Sequence, residues 1–489
     1  MYLGIDIGTQ SLKAVVVDDG LRPIGAGSVA YAPNHPQPGW AEQHPQLWLD
    51  GLRPAIARAL AEAHAGAADI SAMAVCGQLD GCVPTGANGT ALAPAIIWMD
   101  RRATHVLRNT DAMVVHDRAG LVLDATHMAA KIGWCQGHLP GASKVAVWHQ
   151  PVSFVVEALT GRRVMDFGLA STTMLYKLGG GDWDKVLLSA FEVDPRSLPA
   201  LANSADIAGG LAAAGAALTG LRVGTPVAVG TGDDFSSLLG AGISKPDTVS
   251  VTIGTAEIVC ALSSNLMIDP EMLVETHAFP GGLYHLGNPG WLSGGAVRWL
   301  ASLLNLAADA EVSSLAASAS PGANGLTFLP ALTGAMAPRW IAGARGAFYG
   351  LTPTHGRAEV ARAVLEGSAF AMRDVIDRLR SLGVPVAKIR LSGGGAASAI
   401  WAQIRADLTG IPVDQLTGND ASAMGAAMLA AVAVGDVPDL ATASALLKLP
   451  LNRVEPNAAN RASYEDAYER YLKLFDALAP MYEGFSLPE

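Results

Sequence analysis

Cysteine is scarce. Four residues in 489, Cys76, Cys82, Cys135 and Cys260, form no C-x-x-C pair and no Cys/His cluster. That excludes the usual zinc spacings and a disulfide framework, and fits buried thiols in a reducing compartment. Charge is also thin, at 16% of residues, and 33 Lys and Arg against 44 Asp and Glu leave a net −11. Nucleic acid and anionic membrane are therefore not expected partners, and any anionic ligand must be held by local donors against the overall field. No apolar run approaches the roughly 20 residues of a membrane helix; the longest fully apolar stretch lies near Ala426 to Val434. The N-terminus lacks a basic segment, and Asp6 interrupts its apolar run, so no signal peptide is expected and the cytoplasm is the expected compartment. Low-complexity tracts are missing too, since the 54 Gly and 28 Pro are spread along the chain.

What the chain has is length and apolar content. Half of its residues are apolar, and 489 are too many for one ordinary core. The most informative stretch is Leu3 to Asp18, LGIDIGTQSLKAVVVD. It reads as a hairpin with a carboxylate, Asp6, inside the first strand and a Gly/hydroxyl turn at its tip. A buried acid is costly unless compensated, and a hydrated divalent cation would compensate it. Gly8, Thr9, Gln10 and Ser11 offer backbone N–H and hydroxyl groups suited to phosphate oxygens, and Lys13 follows. Thr248 to Ser263, TVSVTIGTAEIVCALS, repeats the pattern: Ile253-Gly254-Thr255 overlays Ile7-Gly8-Thr9, with Thr252 in the place of Asp6. Self-similarity half a chain apart predicts duplicated domains, residues 1–245 and 246–489. Two such hairpins face to face would grip a nucleotide polyphosphate, with the metal held only by the first.

Elsewhere the reading alternates strands and helices. A third strand is expected at Leu21 to Tyr31, then a helix opened by Pro45 that puts Leu47, Trp48, Leu52, Ile56 and Leu60 on one face. Strands at Ile70 to Cys76 and Ala95 to Trp98 end in polar clusters, Gln78-Leu79-Asp80-Gly81 and Asp100-Arg101, where open α/β sheets place ligand groups. Gln78, Asp80, Asp100 and Arg101 can donate to and accept from hydroxyls, the chemistry of polyol recognition, although Arg101 could equally pair with Asp100. Val164 to Leu175 reads as a polar loop without decisive chemistry. Pro226 to Gly242, PVAVGTGDDFSSLLGAG, brings Asp233 and Asp234 to a strand-to-helix turn. An acid there can accept a proton in a cleft or cap the helix. Lys388 to Asp407 reads strand, Gly393-Gly394-Gly395, helix. The final helix, Asn460 to Tyr482, is charged and amphipathic, and could pack back on the first domain.

Taken together, these segments resemble the FGGY carbohydrate kinase family, most closely its xylulokinases. The best match is Gly346 to Glu366, GAFYGLTPTHGRAEVARAVLE, which fits the family's second signature at Gly346, Phe348, Gly350-Leu351, Glu359-Val360 and Ala363 to Glu366. Asp6 to Thr9, Gly230 to Asp233, Gly254-Thr255 and Gly393 to Ser398 follow in family order, and Lys131-Ile132-x-Trp134 is similar to the first signature.

The resemblance implies an α/β fold of two duplicated ribonuclease-H-like domains, as in actin and hexokinase, closing on ATP and a sugar. It implies Asp233 as general base and Asp6 acting on Mg²⁺ through water. Gly8, Thr9, Gln10, Ser11, Lys13, Gly254, Thr255 and Gly294 would serve the phosphates, and Gly394, Gly395, Ala396 and Ser398 the adenosine. Gln78, Leu79, Asp80, Asp100, Arg101 and Asp234 would line the sugar site. Three departures stand out: Asp80 where xylulokinases show His, Asp234 where they show Asn, and Gly334 to Pro338 without the usual charged pair. The implied reaction is phosphorylation of a ketopentose, D-xylulose first. Ribulose, L-xylulose, a tetritol, or a non-transferring ATPase or sugar sensor are the alternatives. A homodimer would be unsurprising for the family.

Overall fold

Tyr2–Ile7 and Ala72–Gly77 are near-continuous apolar runs because they lie side by side, in parallel, in the middle of a sheet covered on both faces. In the computed structural model, which describes residues 1–418 and 420–482, this first sheet runs Ile207–Gly210, Pro226–Ala228, Ala72–Gly77, Tyr2–Ile7, Ser11–Val17, Pro23–Ala30, with Thr231–Gly232 also paired to Ala72–Gly77. The second runs Leu451–Val454, Val413–Leu416, Val386–Ser392, Asp247–Ile253, Glu257–Ser263, Leu283–Pro289, Glu275–Phe279. Read in these orders, the first five pairings of both sheets run antiparallel, parallel, parallel, antiparallel, antiparallel, and the second sheet adds one more antiparallel pair, Leu283–Pro289 with Glu275–Phe279. The repeat read from the two Ile-Gly-Thr hairpins is thus a repeat of whole sheets.

The hairpins are not identical. Ile7 pairs with Leu12 across Gly8 to Ser11, whereas Ile253 pairs with Glu257 across Gly254 to Ala256, one residue fewer. In each, the glycine amide closes the turn, Gly8 N–H on Ser11 O at 3.0 Å and Gly254 N–H on Ala256 O at 2.9 Å. Both amides are therefore committed within the turn.

Helix Gln46–Glu62 buries Trp48, Leu52 and Ile56. Pro45 caps it rather than starting it, and Leu47, expected on the buried face, is 39% exposed. Val164 to Leu175 is not a polar loop. It holds a strand, Val164–Asp166, and a helix, Phe167–Ser171, with Asp166 fully buried. The Asp166 carboxylate accepts from Thr231 Oγ1 at 2.7 Å, Ser204 Oγ at 2.9 Å and two backbone amides, and so anchors the strand that leads to Asp233.

The halves meet through two helices, Asp233–Gly240 and Ala421–Ala433. The second, ASAMGAAMLAAVA, is small and apolar all round and is buried on almost every side. It lies on the first sheet, beneath Tyr2–Ile7 and Ala72–Gly77, in one core with Tyr2, Val15, Ala74 and Cys76. The approach is close: a Cβ on Gly425 would stand 1.9 Å from Ser236 O, and one on Gly240 would stand 1.9 Å from Ala421 O. Ser236 Oγ donates to Ser422 O at 2.7 Å, and Lys13 pairs with Asp420 at 2.7 Å. The element that crosses to the first half is therefore this helix. The last helix, Arg461–Tyr482, instead gives Tyr464, Tyr468, Tyr471 and Phe475 to the core of the second.

Gly425→Ala tests this contact. Helix propensity alone favours Ala by about 1 kcal/mol, but overpacking against backbone costs about 1–3 kcal/mol or more. Thermal unfolding should show a lower Tm; an equal or higher Tm contradicts the close approach.

Candidate functional site

Parallel pairing sets the geometry of the acids. Asp6 lies opposite Cys76, and Thr231–Gly232 pairs with Cys76 and Gly77, so Asp6 and Asp233 emerge together at the carboxyl edge of the sheet. Asp233 and Asp234 open the helix Asp233–Gly240, with Asp234 N–H on Asp233 Oδ1 at 3.0 Å. Asp6 Oδ1 is buried with no hydrogen-bond partner among the described residues. Burial pushes the Asp6 carboxyl up to about 7. Burial, then Asp234 and Asp6, hold Asp233 well above the usual carboxylate range. Asp234 is raised to about 6 by burial and by Asp80. Each acid keeps its neighbour from ionising freely, a state that a cation or a proton-donating ligand would relieve.

The first turn is braced from behind. Trp98 Nε1 donates to Thr9 Oγ1 at 3.0 Å, Gln43 Nε2 to Thr9 O at 2.7 Å, and Tyr31 Oη to Gly8 O at 2.8 Å. Gln78 belongs to this brace: its Nε2 donates to Gln43 Oε1 at 2.7 Å. Thr9, Gln10 and Ser11 thus form the tip of a supported hairpin, while Lys13 is engaged by Asp420.

Beside the acids lies a cavity of about 480 Å³ between the halves. Leu79, Asp80, Arg101 and Asp234 line it; Gln78 and Asp100 do not. The reason is local. Ala95–Ile96 is a two-residue strand paired with Glu42–Gln43, outside the main sheet. The turn after it faces Asp100 inward, where Ala41 N–H (2.6 Å) and the Arg102 guanidinium (2.7 Å) occupy its carboxylate. Arg102, not Arg101, is the partner of Asp100. Arg101 instead reaches Asp124 Oδ2 at 2.7 Å and Thr126 Oγ1 at 2.8 Å. Sequence reasoning missed His127, Glu275, His277 and His285 on this wall. Their one available signal is that His277 and His285 occur on successive short strands; they pair directly opposite each other.

A second cavity, about 670 Å³, lies wholly in the second half. Gly254, Thr255, Gly294, Gly394, Gly395 and Ser398 line it. Ala396 does not: it is buried, its carbonyl accepting from Gln415 Nε2 at 2.7 Å, and Ala397 faces the cavity instead. Two of the glycines are close approaches. A Cβ on Gly294 would stand 2.2 Å from Gly254 O, and one on Gly395 2.4 Å from Ile253 Cγ2. The hairpin, the Gly294 turn and the Gly394–Ala397 turn therefore abut to form one wall. Among the described residues no group of three or more His, Cys, Asp or Glu could hold a metal ion.

Comparison with known proteins agrees with this layout. The family model for the FGGY family of carbohydrate kinases, N-terminal domain, matches residues 1–240, and its C-terminal domain matches residues 249–434. A xylulose kinase of Escherichia coli is 31% identical over 98% of the chain and all of its own length. A glycerol kinase of Gloeobacter violaceus is 33% identical over 92% of the chain and 91% of its own. The crystal structure of a xylulose kinase from Rhodospirillum rubrum superposes with a TM-score of 0.91 at 30% identity, covering 99% of both chains. With both halves matched, the chain belongs to the FGGY family of carbohydrate kinases, phosphotransferases of the actin and hexokinase fold.

Proposed function

We propose that the protein transfers the γ-phosphoryl group of ATP to a hydroxyl of a ketopentose, D-xylulose first, with Asp233 as general base. The observation that carries this reading is Asp233 itself. Its carboxylate stands at a strand-to-helix turn beside Asp6, and burial and its acidic neighbours make it a stronger base than an ordinary aspartate. A sugar in the adjoining cavity, held at Leu79, Asp80, Arg101 and Asp234, would present a hydroxyl to it. Phosphoryl transfer asks little more of the protein than alignment and charge compensation.

Asp6 suits a hydrated Mg²⁺. One orphaned carboxylate oxygen, without a cage of further ligating side chains among the described residues, matches a cation that keeps its waters and leans on substrate phosphates. When bound, Mg²⁺ would screen phosphate charge. The Thr9 and Thr255 hydroxyls would meet the phosphates, and Gly394 and Gly395 would lie along the adenosine. The E. coli xylulose kinase favours the pentulose reading. Asp80 and Asp234, two acceptors at the sugar wall, keep ribulose, L-xylulose or a tetritol as the second reading. The cytoplasm is the compartment that fits free thiols and a nucleotide substrate.

Nucleotide positioning rests on a buried ion pair. Arg405 Nη2 and Nη1 meet Glu257 Oε2 and Oε1 at 2.6 and 3.0 Å, and Ser293 Oγ donates to Glu257 at 2.7 Å. The pair joins the second hairpin, the turn before Gly294 and the helix Ala399–Thr409.

Two outcomes follow. ADP release with ATP and Mg²⁺ across ketopentoses, tetritols and glycerol should depend on one sugar, and Asp233→Ala should lower turnover by about 10²–10⁴-fold. Equal, sugar-independent ADP release from both proteins overturns the base assignment and favours an ATPase or sensor. Glu257→Ala leaves a buried guanidinium unpaired, a loss of about 3–5 kcal/mol. Tm should fall and KM for ATP should rise more than KM for sugar; an unchanged KM for ATP contradicts the positioning role.

A further inference from the structure

Phosphoryl transfer makes no use of one charge arrangement in the sugar cavity. His127 precedes the helix Met128–His138 in the first half and is 4% exposed. Its Nδ1 stands 3.3 Å from Asp80 Oδ1, and its Nε2 stands 3.5 Å from Glu275 Oε1, in the second half. Both separations exceed the 2.7–3.2 Å of a well-made N–H···O bond. The ring thus makes one long hydrogen bond, from Nδ1 to Asp80, and stands off from Glu275 at Nε2. Burial alone would lower its pKa, but Asp80 and Glu275 outweigh burial and hold it well above the ordinary value. Two carboxylates this close favour the protonated ring, in which both nitrogens donate.

Asp80 is mounted rigidly. Its φ is +59°, its N–H donates to Gln150 Oε1 at 2.9 Å, and its carbonyl accepts from Lys131 Nζ at 2.5 Å. Across the cavity, His277 Nδ1 and both ring nitrogens of His285 are buried without partners among the described residues. Burial keeps these two rings neutral, His285 down to about 3. Buried polar atoms without protein partners, facing a cavity, are groups a ligand can satisfy.

The charges also say which ligand. Asp80, Asp124, Asp234 and Glu275 face this space, against Arg101 and His127. Arg101 is engaged by Asp124, and the charge of His127 is offset by Asp80 and Glu275. No cation on this wall is left over for a substrate carboxylate among the described residues.

Building on the kinase reading, we propose that His127 is a specificity-determining residue that donates to a substrate hydroxyl other than the one phosphorylated. Asp80 accepts from that hydroxyl or its neighbour, and His277 completes the subsite. The substrate is an uncharged ketose or polyol, and a sugar acid is excluded. His127 also supplies the imidazole donor that the carboxylate at Asp80 takes away, from a position 3.3 Å from that carboxylate.

The test uses the full chain and two readouts, ADP release and calorimetric titration of sugar without ATP, so that binding is seen whether or not transfer occurs. The variants are His127→Ala and His127→Gln, which keeps a donor but loses the charge. A hydrogen bond from a charged donor corresponds to about 10–150-fold. His127→Ala should therefore raise KM for the sugar about 10–100-fold, with kcat changed less and KM for ATP unchanged, and His127→Gln should recover part of the loss. Among monodeoxy analogues, one should be penalised in the wild type and no longer in His127→Ala. Aldonates should neither bind nor react. An unchanged KM in His127→Ala, an equal penalty for every analogue, or tight aldonate binding overturns the subsite while leaving the kinase reading intact. Binding of a neutral polyol that depends on His127, without transfer, supports the subsite and sinks the kinase reading. No binding of any neutral polyol overturns the subsite.

Discussion

The structure depends on keeping carboxylates out of water and close together. Asp6 sits inside a buried strand, Asp233 at the next turn along the same sheet edge, and Asp234 beside it. Each is destabilised by burial and by its neighbours, and the fold offsets this with a large apolar core around them. Asp166 shows how: it is fully buried but satisfied by two hydroxyls and two amides, and it fixes the strand Thr231–Gly232. A satisfied acid thus fixes the strand that leads into Asp233. Preorganised charge of this kind, oriented before the ligand arrives, is what a phosphoryl-transfer site requires.

Much of this was legible in the sequence because turns carry local chemistry. Asp6, Thr9, Asp233, Thr255 and Gly395 all sit where a strand ends, and the residues that make such turns also mark the site. The duplication was visible in two hairpins, although their loops differ by one residue, which an overlay of similar letters conceals. Gln78 and Asp100 lie off the cavity for a physical reason: their side chains turn to Gln43 and to Ala41 and Arg102, residues brought in by a minor ribbon with no strong pattern. His127 was not legible at all, because it meets Glu275 only when the two halves pack. Glu275, His277 and His285 share two paired strands, but single histidines in short strands carry no periodic signal.

The two cavities divide the labour differently. The one in the second half is built by backbone: glycines that abut other main chain, held by a buried Glu257–Arg405 pair. The one between the halves is built by side chains, with charges from both, and side chains can be replaced without disturbing the sheets. Asp80 and Asp234 stand at such positions. The cavity between the halves can therefore change its chemistry while the backbone-built one keeps its shape.

The helix Ala421–Ala433 has a consequence for how the chain is made. It covers the face of the first sheet that carries Tyr2, Ala74 and Cys76, yet it is separated from them by most of the polypeptide. During synthesis that apolar face is complete long before its cover leaves the ribosome. The first half is then an unfinished layer rather than an independent module, and its exposed surface invites aggregation or chaperone capture until the cover arrives. The same long-range closure makes the two halves one cooperative object in biogenesis, although each repeats the plan of the other.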